Sequence, residues 1–242
     1  MADADIHFHF DPVCPFAWIT SRWVEEVAAQ SDYGVDWRFI SLRILNKDID
    51  YETHFPPDYE AGHTAGLRLL RVAARARAEL GRGVMGNLYT ATGESIFDVD
   101  PAADDGSHRN RWGTVEHARS ILDAAGLTAD LADAVDDESW DAEIDAETEE
   151  ALALTGRDVG TPIIHFEPPD GVAFFGPVIS RVPRGEDAVR LWNHVIELAR
   201  FPGFSELKRS LRETPRLRLL GADPDEPAVE EDWHQGSRRL KK

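Results

Sequence analysis

The sequence predicts an α/β protein in which a large helical insertion divides a small sheet-forming fold. Three observations support this prediction. Residues 6–42 contain two apolar strands joined by an amphipathic helix, the pattern of a β-α-β unit. Residues 56–155 are rich in Ala and Leu at helical spacing. Residues 161–175 contain two short apolar runs around a Pro-Pro-Asp-Gly turn, which predicts an antiparallel hairpin.

The elements follow one another in a simple order. Apolar residues alternate with histidines in the first predicted strand, residues 6–10. Pro15 suits the first turn of the next helix, because its fixed φ and missing N–H are tolerated there. The second strand is predicted over residues 35–42, and its parallel pairing requires such a crossover helix. A last helix is predicted over residues 185–199.

These elements form one domain with an insertion. The predicted parts are an N-terminal half at 1–55, an inserted helical subdomain at 56–155, a C-terminal half at 156–212 and a loose charged tail at 213–242. The end of the tail is rich in Pro and charged residues, a composition that buries too little apolar surface to offset its ordering entropy.

Composition and charge limit the function classes. A chain of 242 residues with 42% hydrophobic residues can bury a substantial core. The net charge of -19 disfavours binding to nucleic acid and to anionic membrane surfaces. The first residues lack the basic and apolar segments of a secretory signal, and no apolar run is long enough to span a membrane. We therefore expect a cytoplasmic protein, with a homodimer as one possible assembly.

The only cysteine of the chain, Cys14, is the candidate reactive group. A single cysteine excludes an internal disulfide, so any disulfide would join this chain to another molecule. A helix N-terminus would lower the pKa of Cys14, whereas the nearby negative charge of Asp11 would raise it. The sequence leaves this balance open. The alternative is that Cys14 is a buried small apolar residue, the common role of a lone cysteine.

Metal and nucleotide sites are not indicated. His7 and His9 lie on one face of the first strand, but no third ligand stands at a recognisable spacing from them. Neither a glycine-rich dinucleotide motif nor a P-loop is present. We therefore predict no metal and no tightly bound cofactor.

Two motifs carry a resemblance to a known family. Residues 10–23, FDPVCPFAWITSRW, resemble the active-site segment of the DsbA-like branch of the thioredoxin superfamily, and residues 159–162, VGTP, resemble its cis-proline loop. Within that branch, the chain is most similar to the actinobacterial mycothiol-dependent nitroreductase family. The shared segments include SL at 41–42, ILN at 44–46, LYT at 88–90, GPV at 176–178 and PRGE at 183–186. The similarity covers roughly residues 6–212.

The resemblance implies a thioredoxin-like fold and a thiol-dependent reductase that uses mycothiol, or another low-molecular-weight thiol, as co-substrate. It implies Cys14 as the nucleophile, a cis peptide bond before Pro162, and a set of substrate-binding residues: Pro15, Phe16, Trp18, Thr161 and Pro162. The chain departs from the family at Ala17, where relatives typically carry a second cysteine. A dithiol cycle is therefore not available, but a monothiol cycle is.

Three functions from different classes stay open. The first is a monothiol oxidoreductase or mycothiol-dependent reductase with Cys14 as nucleophile, acting on a small-molecule or mixed-disulfide substrate. The second resembles the kappa-class glutathione transferases and 2-hydroxychromene-2-carboxylate isomerases, which activate a bound thiol instead of cycling a disulfide. The third is a redox-inactive binding protein. Retention of activity in Cys14→Ser would favour the second.

Overall fold

The computed structural model describes residues 4–100, 108–209, 211–221 and 229–232. Within these residues, the main sheet has four strands in the order β2-β1-β3-β4. The strands are β1 (Ile6–Phe10), β2 (Val35–Phe39), β3 (Ile163–Phe166) and β4 (Ala173–Phe175). β1 is parallel to β2, whereas β3 is antiparallel to both β1 and β4. This arrangement is that of a thioredoxin-like α/β fold, and it confirms the predicted fold class.

Two helices pack together beside the sheet. Helix α1 (Pro15–Ala28) is the crossover from β1 to β2, and α9 (Gly185–Arg200) follows the hairpin. The indole N–H of Trp23 donates a hydrogen bond to the carbonyl of Ala188 at 2.9 Å. The rings of Trp23 and Trp192 meet edge to face with centroids 5.2 Å apart. Large buried aromatic surfaces therefore fix the helix that carries the cysteine motif.

The chain between β2 and β3 is helical throughout most of its described length. Its helices are α2 (Leu42–Leu45), α3 (Tyr51–His54), α4 (Tyr59–Leu80), α5 (Met85–Phe97), α6 (His108–Arg111), α7 (Val115–Ala124) and α8 (Asp141–Thr155). Part of the candidate insertion, residues 101–107, lies outside the described residues.

A buried ion pair attaches this helical layer to the sheet. The carboxylate of Glu147 on α8 accepts a hydrogen bond from the backbone N–H of Phe39 at 2.8 Å. It also pairs with the guanidinium of Arg77 on α4 at 3.0 Å. The guanidinium of Arg77 lies 3.9 Å from the centroid of the Phe39 ring. Two helices of the layer are thus tied to β2 by one network of satisfied charges.

Two predicted elements differ from the structure. The second strand ends at Phe39 rather than at residue 42, because the hydroxyl of Ser41 accepts the N–H of Ile44 at 3.4 Å and begins α2. Within the predicted helical region 56–155, the chain just before α8 forms two short 3-10 helices, Ala129–Asp136 and Glu138–Trp140. The carboxylate of Asp137 accepts the N–H of Ser139 at 3.0 Å and separates them. Local side-chain capping overrides the apolar pattern in both places.

The start of the predicted loose tail lies against the body of the protein. Strand β5 (Leu211–Glu213) pairs with β6 (Glu230–Asp232). The N–H of Arg216 donates to the carbonyl of Ser180 at 2.7 Å, and Leu217 is buried. This part of the tail is therefore ordered by contacts that the composition does not reveal. The remaining tail residues, 222–228 and 233–242, lie outside the described residues.

Candidate active site

Cys14 lies where the first strand meets the first helix. It is the N-cap residue of α1, and its Sγ accepts a hydrogen bond from the N–H of Ala17 at 3.4 Å. The thiol itself donates to the carbonyl of Thr161 at 3.3 Å. The peptide bond between Thr161 and Pro162 is cis, as the resemblance implied. The two motifs are separated by most of the chain, and the sheet brings them into direct contact.

Cys14 lines a cavity of about 400 Å³. Of the residues expected to bind the substrate or thiol, Pro15, Phe16 and Thr161 also line this cavity. Pro162 is buried and does not line it. Four of the six expected site residues, Cys14 included, therefore lie in one place.

Trp18 is a core residue rather than a cavity residue. It is 3% exposed, and its ring lies between Tyr89 and Phe97, with centroids 5.9 and 6.2 Å away. The guanidinium of Arg22 covers the ring at 4.2 Å. A Cβ added to Gly93 of α5 would lie 2.1 Å from the indole, so glycine makes room for it. Trp18 is not among the residues that line the cavity.

The other walls of the cavity come from the helical layer, the hairpin and the tail. The apolar wall residues include Leu42, Leu45, Phe55, Phe97, Trp112, Phe175, Pro215 and Leu217. The polar ones are Asn46, Asp58, Tyr59, His63, Arg109, Arg157, Asp158 and Thr161, of which both Arg and both Asp side chains are exposed. The cavity is thus apolar inside with a few polar groups, the usual composition of a small-molecule site.

Burial decides the protonation state of Cys14. Burial raises the pKa of the Cys14 thiol to about 12, while the N–H groups of Ala17 and Phe16 act in the opposite direction and Asp11 adds to the rise. Cys14 is only 7% exposed. The helix N-terminus does favour the thiolate, but the loss of hydration outweighs it. At neutral pH the resting group is a neutral thiol.

Asp11 holds the turn that carries the cysteine. Its carboxylate accepts hydrogen bonds from the N–H of Val13 at 2.9 Å and from the N–H of Leu42 at 2.7 Å. It is fully buried, and burial raises its pKa to about 7 against the effect of those two bonds. A Cβ on Gly66 of α4 would lie 2.7 Å from its Oδ1. Asp11 therefore joins the Cys14 turn to the start of α2 beneath α4.

Sequence reasoning missed the polar residues that the helical layer contributes. His63 lines the cavity, and its Nδ1 lies 2.9 Å from the hydroxyl of Tyr51. One available signal was the pair of glycines at 62 and 66 inside a helical run, since a glycine within a helix often marks close packing. That signal identifies a contact face but not its partner.

The described part of the chain contains neither a metal-ligand cluster nor a membrane-spanning helix. In residues 4–100, 108–209, 211–221 and 229–232, no group of three or more His, Cys, Asp or Glu side chains is placed to hold a metal ion. No helix in the same part of the chain is long and apolar enough to cross a membrane. His7 and His165 instead meet ring to ring, with centroids 5.7 Å apart.

Two solved structures resemble this one. One is described as a putative protein-disulfide isomerase from Pseudomonas syringae, with 18% identity and a TM-score of 0.46, covering 79% of this chain and 92% of that chain. The other is the cytosolic disulfide reductase DsbM from Pseudomonas aeruginosa, with 15% identity and a TM-score of 0.47. That match covers 80% of this chain and 99% of DsbM.

Sequence comparison is more specific. The chain is 31% identical over 210 residues to the uncharacterized protein Rv2286c of Mycobacterium tuberculosis, covering 84% of this chain and 81% of the relative. Residues 13–209 match the model of the Rv2466c-like family, described as mycothiol-dependent nitroreductase Rv2466c. This match spans well over half of the chain and confirms the predicted family. The chain therefore belongs to the Rv2466c-like family and is a thiol-dependent oxidoreductase.

Proposed function

We propose that this protein is a monothiol oxidoreductase in which Cys14 is the nucleophile and mycothiol is the co-thiol. The observation that carries the proposal is the position of the Cys14 sulfur, which lies on the wall of a cavity, 3.3 Å from the carbonyl of Thr161. Membership of a family described by a mycothiol-dependent enzyme supports the choice of co-thiol. A reduced co-thiol pool is typical of the cytoplasm, which supports the predicted location.

The proposed cycle has two exchange steps. In the first, the sulfur of Cys14 attacks the mycothiol sulfur of a mixed disulfide between mycothiol and the substrate, forming a Cys14–mycothiol disulfide. The S–S bond between mycothiol and the substrate breaks, and the proton lost by Cys14 ends on the released substrate thiol. In the second, a second mycothiol attacks the new disulfide, which returns Cys14 to the thiol and releases mycothiol disulfide. Mycothiol supplies the reducing equivalents, so the cycle does not need a second cysteine at the position of Ala17.

The surroundings of Cys14 suit this cycle in three ways. Phe16 and Pro15 offer an apolar surface at the N-terminus of α1, and the N–H of Ala17 is directed at the sulfur of Cys14. The carbonyl of Thr161 accepts a hydrogen bond from the resting thiol, and the backbone at Thr161 can pair with an extended substrate. A bound disulfide excludes water from the same cavity and is held at high effective concentration beside the sulfur.

The neutral state of the thiol favours a second candidate. Burial raises the pKa of Cys14 to about 12, so the resting protein holds very little thiolate. A transferase or isomerase that activates a bound thiol would use Cys14 only as a hydrogen-bonding group. In that case the N–H of Ala17 at the N-terminus of α1 would serve the sulfur of the bound co-thiol.

Replacing the sulfur by oxygen separates the two candidates. The test reaction is the reduction of a mycothiol mixed disulfide of a small thiol by excess mycothiol, followed by separation of products. The monothiol cycle predicts that Cys14→Ser and Cys14→Ala lose catalysis alike, because serine cannot form the intermediate disulfide. Turnover of any thiol-dependent substrate by Cys14→Ser near the wild-type rate would instead support the second candidate. Cys14→Ala is the matched control.

A further inference from the structure

His63 is the one imidazole among the described side chains that line the cavity. It lies near the start of α4 and is 8% exposed. The neighbouring walls are mostly apolar, so a ligand placed there finds few groups with which to form hydrogen bonds. A buried polar side chain in such a place either orients a ligand or costs stability without return.

The imidazole ring is fixed by its neighbours. Its Nδ1 lies 2.9 Å from the hydroxyl of Tyr51, which is on α3. The rings of Tyr51, Phe55 and Tyr59 meet it edge to face, with centroids 5.6, 5.8 and 5.7 Å away. Within the described residues, Nε2 has no hydrogen-bond partner. The geometry therefore holds one nitrogen by Tyr51 and leaves the other available.

The pair is uncharged at neutral pH. Burial lowers the pKa of His63 to about 4, and the positive charge of Arg43 acts in the same direction. Burial raises the pKa of Tyr51 to about 12. A neutral imidazole can donate through one nitrogen and accept through the other, so a fixed Nδ1 makes Nε2 a directed hydrogen-bonding group. Such a group can form a hydrogen bond with an amide or a hydroxyl group of a ligand.

The same face of α4 packs on the turn that carries Cys14. Gly66 lies three residues after His63 and therefore on the same side of the helix. A Cβ at Gly66 would lie 2.7 Å from Oδ1 of Asp11 and 3.0 Å from Cγ2 of Val13. This close approach sets the distance between the helix and the cysteine turn. His63 and Cys14 consequently belong to adjoining walls of one cavity.

We propose that His63, held by Tyr51, is the hydrogen-bonding residue that positions the co-thiol in the cavity beside Cys14. The inference rests on the proposed function, in which a small thiol or its disulfide occupies this cavity. The ligand class is a thiol with a neutral amide or hydroxyl group close to its sulfur, as in an N-acylated cysteine. In this role His63 is a binding residue and takes no part in the S–S chemistry.

The test measures binding without disulfide chemistry. Reduced mycothiol is titrated by calorimetry into the Cys14→Ala protein and into the same protein with His63→Phe, which keeps an aromatic ring but removes both nitrogens. The expected result is a Kd about tenfold higher, which corresponds to the loss of about 1.4 kcal/mol, a typical buried hydrogen bond. Tyr51→Phe is expected to raise the Kd in the same direction by a smaller factor. His63→Gln, whose amide can still donate, is expected to recover part of the affinity.

The matched control is His117→Phe. His117 is partly buried, and burial lowers its pKa to about 4, but it contacts Ser95 at 3.0 Å and does not line the cavity. The control should bind mycothiol as the Cys14→Ala protein does. Equal Kd values with and without His63→Phe, or no binding to Cys14→Ala at all, would overturn the inference. The proposed function fails separately if wild-type Cys14 forms no mycothiol adduct while His63→Phe still raises the Kd for mycothiol in the Cys14→Ala protein.

Discussion

At pH 7, Cys14 of the folded protein should react with iodoacetamide about thirtyfold more slowly than Cys14 of the urea-unfolded chain. Burial raises the pKa of the thiol from 9.0 to about 12. Three pKa units reduce the thiolate fraction about a thousandfold, and the greater nucleophilicity of a more basic thiolate restores about thirtyfold. In the folded protein the rate should rise about tenfold per pH unit from pH 6 to pH 10, since the pKa lies above that window.

The shape of the pH profile shows whether burial or the helix N-terminus controls the pKa of Cys14. The rate of the unfolded chain should bend at the ordinary thiol pKa of 9.0 and level off above it, whereas the rate of the folded protein should keep rising up to pH 10. Circular dichroism at each pH verifies that the protein is still folded, and Cys14→Ala verifies that no other side chain is labelled. A plateau below pH 8 in the folded protein would mean that the helix N-terminus, rather than burial, controls the thiol.

Gly93→Ala should lower the free energy of unfolding by about 3 kcal/mol, at the upper end of the usual cost of overpacking. The added Cβ would lie 2.1 to 2.6 Å from three atoms of the Trp18 indole. Trp18 cannot move aside freely, because Tyr89 and Phe97 enclose it. Urea denaturation followed by tryptophan fluorescence measures the change, and the Cys14 labelling rate at pH 7 should rise as α1 shifts.

A second glycine provides the control of opposite sign. Gly62 lies inside α4, and a Cβ added to it would meet no atom within 4 Å. Gly62→Ala should therefore stabilise the protein by about 0.5–1 kcal/mol, because alanine favours the helix. If Gly93→Ala leaves the free energy of unfolding unchanged, or raises it as Gly62→Ala does, the close packing of Trp18 against α5 is incorrect.

The parts that could be predicted from the sequence depend on local patterns. Strand β1 and the start of α1 follow from alternation and from Pro15, and the hairpin follows from its turn. The contact between Cys14 and Thr161 follows from two motifs of a shared fold, although the two residues lie 147 positions apart in the sequence. Each of these features needs only a short stretch of chain or a known topology.

The parts that were missed depend on contacts between distant segments. Phe55, Trp112 and Leu217 line the same cavity as Cys14, and nothing in the cysteine motif indicates their presence there. The balance between helix dipole and desolvation could therefore not be decided from position alone. For the same reason, periodicity placed Trp18 on an apolar face without telling whether that face meets a cavity or the core.

Intact-mass analysis shows directly whether Cys14 accepts a small thiol. The reduced protein is mixed with mycothiol disulfide at pH 7, in parallel with Cys14→Ala, and sampled over time. The monothiol cycle predicts one mycothiol adduct on the wild-type protein alone, a rate that saturates with disulfide concentration, and release of the adduct by added mycothiol. Absence of an adduct, or an adduct that mycothiol does not release, would contradict the monothiol cycle.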